Sequence, residues 1–116
     1  VWGSNEKGIL VTKAVAEMQA IFKLLGGQPD TVFSVAGLGD FIATGFSSCS
    51  KNYTAGLELA RDGAAKTKSE GLSSFDSVMA LLGENLSRFK LLSTIKEVVV
   101  DQKPASEAFT CWAGNC

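Results

Sequence analysis

The chain has 116 residues and a mass of 12.2 kDa, the size of one ordinary domain, and an eight-stranded α/β barrel, which needs roughly 200 residues, is excluded. Eleven basic residues against twelve acidic ones leave a net charge of −1, so no footprint for nucleic acid or a membrane surface is visible. Histidine is absent, which removes Ser-His and Cys-His nucleophile pairs and imidazole zinc sites, and no metal site is expected.

In chain order, Ile9-Leu10-Val11, Ala14-Val15, Met18, Ile21-Phe22 and Leu25 recur at spacings of three and four, the apolar stripe of an α-helix. Gly26-Gly27 ends it at the usual place for a left-handed cap. Pro29-Asp30 opens a short segment, Thr31 to Val35, that leads into Ala36-Gly37-Leu38-Gly39-Asp40. This stretch has the look of the strand and glycine turn of a dinucleotide fingerprint. Ile42 holds the place of the third glycine and no second strand follows, so the spacing disfavours that fingerprint.

A helix is expected from Asp40 to Phe46, then a polar loop Ser47-Ser48-Cys49-Ser50, then a helix capped by Asn52 and closed at Asp62-Gly63. Residues 64–74 read as mostly loop. Helices are expected over 75–82 and 86–100, and Pro104 suits the first position of a last helix through Phe109. Phe22, Phe33, Phe75, Phe89 and Met79 are core candidates. The fold class is therefore all-α, a compact multi-helix domain over residues 1–116.

The longest apolar runs span about three residues, so neither a signal-peptide core nor a membrane span fits. Cys49, Cys111 and Cys116 lack C-x-x-C spacing, which points away from a disulfide scaffold and toward a reducing, intracellular setting. Cys49, beside Lys51, could be a reactive thiol or an inert small residue. The start at Val1, directly on apolar sequence, suggests that an upstream part was removed or not included.

Two polar groups carry candidate chemistry. Asp40 and Thr44 lie four apart on one helix face, where a carboxylate and a hydroxyl could both address one bound alcohol. Asp40 could equally serve as a first-turn acid that answers the helix dipole. Ser50-Lys51-Asn52 brings a hydroxyl, a cation and an amide to a helix start, the make-up of a phosphate site. The plainer reading of that run is a polar loop with an Asn cap. Lys66, Lys68 and Glu70 read as a mixed surface run, and Glu70 as a solvated acid before a turn.

Taken together, Ala36-Gly37-Leu38-Gly39-Asp40 with Thr44, Ser50-Lys51-Asn52 with Gly56, Gly3-Ser4-Asn5, Glu70-Gly71 and Lys103-Pro104-x-x-Glu107-Ala108 resemble one family. It is the C-terminal substrate domain of bacterial-type NAD(P)-dependent glycerol-3-phosphate dehydrogenase, an all-α fold of the 6-phosphogluconate dehydrogenase C-terminal type. The resemblance implies exchange of a hydride between NAD or NADP and the pair dihydroxyacetone phosphate and sn-glycerol 3-phosphate, in the cytoplasm, toward glycerophospholipid precursors.

By the same resemblance, Asp40 and Thr44 are active-site residues. Asp40, Ser50, Lys51 and Asn52 hold the substrate, with the last three on its phosphate, while Lys51 and Glu70 reach the cofactor. Lys51 stands where the family usually has arginine, keeping the charge but losing the bidentate fork. The stretch between Asn52 and Glu70 is shorter than in many members, and Phe89-Lys90-Leu91 replaces a proline-containing turn. The family's proton-handling lysine and its dinucleotide-binding domain match regions ahead of Val1, so the chain alone is expected to be inactive. Its own N-terminal domain is the expected partner, and a homodimer stays open. The rivals are the helical domain of another hydroxyacid dehydrogenase and a non-catalytic binding or dimerisation module.

Overall fold

A computed structural model describes residues 4–45, 47 and 49–114. The described residues contain six α-helices and no strand, in the order α1 (Ser4–Leu24), a 3₁₀ turn (Pro29–Phe33), a π turn (Val35–Gly39), α2 (Asp40–Gly45), α3 (Lys51–Asp62), α4 (Glu70–Leu82), a second 3₁₀ turn (Gly83–Arg88), α5 (Lys90–Val99) and α6 (Ala105–Trp112). The all-α expectation holds. No described helix is long and apolar enough to cross a membrane. The chain divides into two compact units, residues 1–43 and 44–116.

In the first unit, α1 follows the apolar spacing and stops where the glycines stand. Gly26 turns left-handed at φ 83°. Its N–H donates to the Lys23 carbonyl at 3.2 Å, and the Gly27 N–H donates to that of Phe22 at 2.7 Å. This double closure of the last turn is a Schellman cap, for which glycine is suited because it has no Cβ to clash.

The strand-like run 31–36 forms no strand: residues 31–33 lie in the 3₁₀ turn, Ser34 is extended at φ −75° and ψ 169°, and the π turn begins at Val35. Pro29 presets φ for a first helical turn. Ser34 then binds its own neighbours: its hydroxyl donates to the Thr31 carbonyl at 2.7 Å and accepts from the Gly37 N–H at 3.1 Å. Such local bonds compete with a strand ladder and displace it. Gly37 has no room for a side chain, since a Cβ there would sit 2.5 Å from the Val32 carbonyl oxygen and 2.7 Å from that of Thr31. Val32 is the one buried side chain among the described residues of this unit, while Phe33, expected in the core, is 56% exposed. With about three residues per 3₁₀ turn, turning Val32 inward swings its neighbour away.

The second unit has a side-chain core. Ala55 of α3, Phe75 and Leu82 of α4, Phe89, Leu91 and Val98 of α5 and its lead-in, and Ala108 of α6 are all buried. Full burial of a Leu or Phe side chain contributes about 1.5–3 kcal/mol. Helix α3 packs on α4 and α6, and α5 packs on α6. Phe22 and Met79, the other aromatic and sulfur candidates, are half-buried.

Three boundaries differ from the sequence expectation. Helix α4 starts at Glu70, not Phe75, because the hydroxyl of Ser69 accepts from the Leu72 N–H at 3.2 Å and caps it. The expected helix 86–100 breaks at Phe89, whose backbone is extended at φ −113° and ψ 94°, and α5 begins after it. Pro104 precedes α6 instead of occupying its first position.

Cys111 is disulfide-bonded, while Cys49 is free and exposed. The cysteine spacing points away from a disulfide scaffold, yet one disulfide forms at Cys111. Linear spacing does not report which cysteines a fold brings within bonding geometry.

Candidate functional site

Asp40 opens α2 directly after the π turn and is exposed. Its carboxylate therefore stands at the positive end of the helix dipole. Thr44 lies one turn along the same helix. Phe46 and Ser48, parts of the expected helix end and polar loop, lie outside the described residues.

In the second unit, Ser50 caps α3. Its extended backbone, φ −75° and ψ 132°, lets the hydroxyl accept from the Tyr53 N–H. The expected cap was Asn52, but that residue sits inside the first turn and its side chain does something else. Its amide oxygen accepts from the backbone N–H of Gly71 at 3.2 Å, tying the start of α3 to the start of α4. The approach needs a glycine, because a Cβ on residue 71 would lie 2.9 Å from that amide oxygen.

Two capped helix N-termini thus border one cleft of about 930 Å³. Its lining includes Ser50, Lys51, Asn52, Lys66, Lys68 and Glu70. The fold brings together four of the predicted residues, Ser50, Lys51, Asn52 and Glu70, although Asn52 and Glu70 are 18 positions apart in sequence. The cleft belongs to the second unit and Asp40 to the first. Glu70, read as a solvated acid before a turn, instead stands in the first turn of α4.

The loop between the two helices is pinned from below. The Glu58 carboxylate of α3 accepts from the backbone N–H of Thr67 at 2.8 Å and that of Lys66 at 3.2 Å. The Thr67 backbone bond, then its hydroxyl, holds the Glu58 carboxyl below the usual carboxylate range, with Lys66 and Arg61 adding to the effect against slight desolvation. Hydrogen bonds to the charged form favour ionisation. Ser69, 6% exposed, closes the loop as the α4 cap.

Chemically, the cleft suits an anion. Helix starts present N–H groups that the helix itself does not use, and each carries partial positive charge. The ammonium of Lys51 adds a full charge and the Ser50 hydroxyl a further polar contact. Among the described residues, no three Cys, Asp or Glu side chains assemble as a metal set.

Sequence reading missed Glu58 and Ser69, took Lys66 and Lys68 for a surface run, and gave Gly71 no contact of its own. Ser69 had a signal: Leu72, Phe75, Met79 and Leu82 repeat at three, four and three, so the helical stripe begins just behind it.

An all-helical domain with a cationic, helix-capped cleft is the class defined by these observations. Residues 1–110 match the family model described as NAD-dependent glycerol-3-phosphate dehydrogenase C-terminus, and the chain belongs to that family. A glycerol-3-phosphate dehydrogenase [NAD(P)+] of Leuconostoc citreum (strain KM20) is 32% identical over 114 residues, covering 92% of this chain and 34% of the relative. Its counterpart in Staphylococcus epidermidis is 31% identical over 114 residues, with the same shares. That of Synechococcus sp. (strain RCC307) is 45% identical over 58 residues, 50% of this chain and 19% of the relative. The chain spans about a third of the length of the curated relatives it matches end to end. No solved structure matches it. The family match decides against the helical domain of a different hydroxyacid dehydrogenase.

Proposed function

We propose that this chain is the substrate-holding domain of an NAD(P)-dependent glycerol-3-phosphate dehydrogenase that interconverts sn-glycerol 3-phosphate and dihydroxyacetone phosphate. One observation carries the reading. Ser50, Lys51 and Asn52 stand at the capped start of α3, and the Asn52–Gly71 bond joins them to the Glu70 end of α4 around a single cleft. That is a phosphate seat with a carboxylate beside it.

In this reading Ser50 and Lys51 donate to the substrate phosphate, together with unused N–H groups of the first turn of α3. Asn52 keeps its oxygen on Gly71 and offers its NH₂ group to the same anion. Asp40, with Thr44 one turn on, orients the hydroxyl-bearing end of the substrate. Lys51 and Glu70 also meet the dinucleotide: an ammonium suits a phosphate and a carboxylate suits ribose hydroxyls, so the donor set fits an edge of such a cofactor. When bound, the nicotinamide supplies or accepts the hydride. The residues of this chain bind and orient, and positioning of that kind contributes several kcal/mol to lowering a barrier. The reading extends to the N-terminal part of the protein as the partner that completes the site, to a cytoplasmic location and to supply of glycerophospholipid precursors.

The test is steady-state kinetics on the full-length protein. Lys51→Ala should raise KM for dihydroxyacetone phosphate at least tenfold, and Lys51→Arg should restore it. Unchanged kinetics in Lys51→Ala removes the α3 start from the site. Asp40→Asn should lower kcat with the fold retained, whereas normal turnover returns Asp40 to a helix-start role.

A further inference from the structure

After Gly63 the chain leaves α3, forms one wall of the cleft and enters α4. Over residues 64–74 only Ser69 is buried, and it is polar; the first apolar side chain of α4 to reach the core is Phe75. The stretch ahead of Phe75 therefore takes its place more by polar ties than by burial. Two such ties come from α3. One oxygen of the Glu58 carboxylate, Oε1, accepts from the backbone N–H groups of Thr67 and Lys66, and Asn52 accepts from that of Gly71. Among the described residues, no other hydrogen bond or ion pair reaches residues 64–68.

The two ties have an order. Asn52 stands in the first turn of α3, and Glu58, six residues on, lies about 9 Å further along the axis. The chain meets Glu58 first, at 66 and 67, and Asn52 second, at 71. It thus runs back along α3, gripped at both ends, with Lys68, Ser69 and Glu70 between the grips. Thr67 and Gly71 are joined by a link that reaches at most about 14 Å when fully extended, so releasing the first grip loosens the approach to the second. Glu58 itself stands outside the lining of the cleft, and its influence on a bound molecule has to pass through this segment.

We propose that Glu58 is a positioning residue of the cleft. By holding Lys66 and Thr67 it sets Gly71 against the Asn52 oxygen, and so keeps the Asn52 NH₂ group turned to the anion. The proposal rests on the reading of Ser50, Lys51 and Asn52 as a phosphate seat and deepens it.

Grip and charge separate by substitution. Glutamine keeps the length of the side chain and an oxygen that accepts both N–H groups. Aspartate keeps the charge but is one methylene shorter, and contacts already at 2.8 and 3.2 Å do not survive that retreat.

The experiment is steady-state kinetics on the full-length protein, with circular dichroism to show that each variant retains its helices. Glu58→Ala should raise KM for dihydroxyacetone phosphate about fivefold, with kcat within twofold of the parent. Glu58→Gln should stay within twofold in KM, and Glu58→Asp should behave as Glu58→Ala. A normal KM in Glu58→Ala overturns the proposal, and so does a loss confined to kcat. The reverse order, with Asp restoring KM and Gln failing to, also overturns it, because the field of the carboxylate would then be responsible and not its grip.

Gly71→Ala tests the route. With the Asn52 contact already disturbed, adding Glu58→Ala should raise KM less than twofold further, the non-additivity of residues that act through one contact. A full further fivefold rise overturns the route through Asn52. Lys51→Ala keeps the two readings apart: a normal KM there beside a raised one in Glu58→Ala defeats the phosphate seat and supports the grip, while the converse defeats the grip alone.

Discussion

Residues 1–43 and 44–116 reach defined backbones by different means. The first unit is set by main-chain geometry: a left-handed Gly26, a Gly37 pressed against the Val32 and Thr31 carbonyls, and, among the described residues, one buried side chain. The second is set by side chains, with seven buried apolar residues and two serine caps among those described. Asp40 is thus presented by a turn that tolerates no Cβ. The proposed phosphate seat is presented by helix starts whose positions follow from core packing. A substitution in the core should therefore reach the cleft, while the first unit should respond most to added backbone bulk.

Four substitutions and one control sharpen or break this contrast. The largest effect should come from Leu82→Ala, since that side chain is 2% exposed; it should lower unfolding stability by about 2–5 kcal/mol. The control Ile9→Ala, at a position 55% exposed, should stay within about 0.5 kcal/mol. Equal losses in denaturant titrations would erase the difference.

Next comes Gly37→Ala. The atoms crowding its new Cβ are main-chain oxygens at 2.5 and 2.7 Å, which cannot swing aside. We expect a loss of about 1–3 kcal/mol, read as lost amide-exchange protection over 29–39 with 44–116 protected as before.

Gly71→Ala is gentler, because the atom in the way is the end of the flexible Asn52 side chain, 2.9 Å off. Its expected effect is functional: about a tenfold rise in KM for the phosphorylated substrate, equivalent to about 1.4 kcal/mol, at near-normal stability. A normal KM would show that the Asn52–Gly71 bond plays no part in the seat.

The smallest effect belongs to Glu58→Gln. The carboxyl of Glu58 is lowered in the folded state, so its stabilising contribution is present above its unfolded value, about 4.3, and fades as pH falls through the lowered value. Exchange protection at the Lys66 and Thr67 amides should therefore decline on acidification below about pH 4.3 in the parent. In the Gln variant it should start lower and stay flat.

Much of this was legible in the chain itself. The apolar repeat of α1 and its glycine stop are local features, and the structure keeps both. The grouping of Ser50, Lys51 and Asn52 was legible too, because three neighbours at a helix start stay neighbours in any packing. What failed was also informative. Asn52 looks as good a cap as Ser50 until Gly71 arrives to occupy it. Phe33 looks like core until a 3₁₀ turn rotates it outward. The Lys66–Glu70 run has the composition of a solvated surface, and nothing local marks it as the wall of a cleft.

By itself the sequence determined the helical class, the ends of α1 and α3 at their glycines, and the family, since each rests on short-range spacing or on motifs read in order. Tertiary structure alone decided that residue 52 meets residue 71 and that two loop lysines face the same hollow as a third. Those encounters depend on α3 packing against α4. Asn52 and Gly71 stand 19 positions apart in sequence, and local spacing cannot report a meeting that only the packing of two helices brings about.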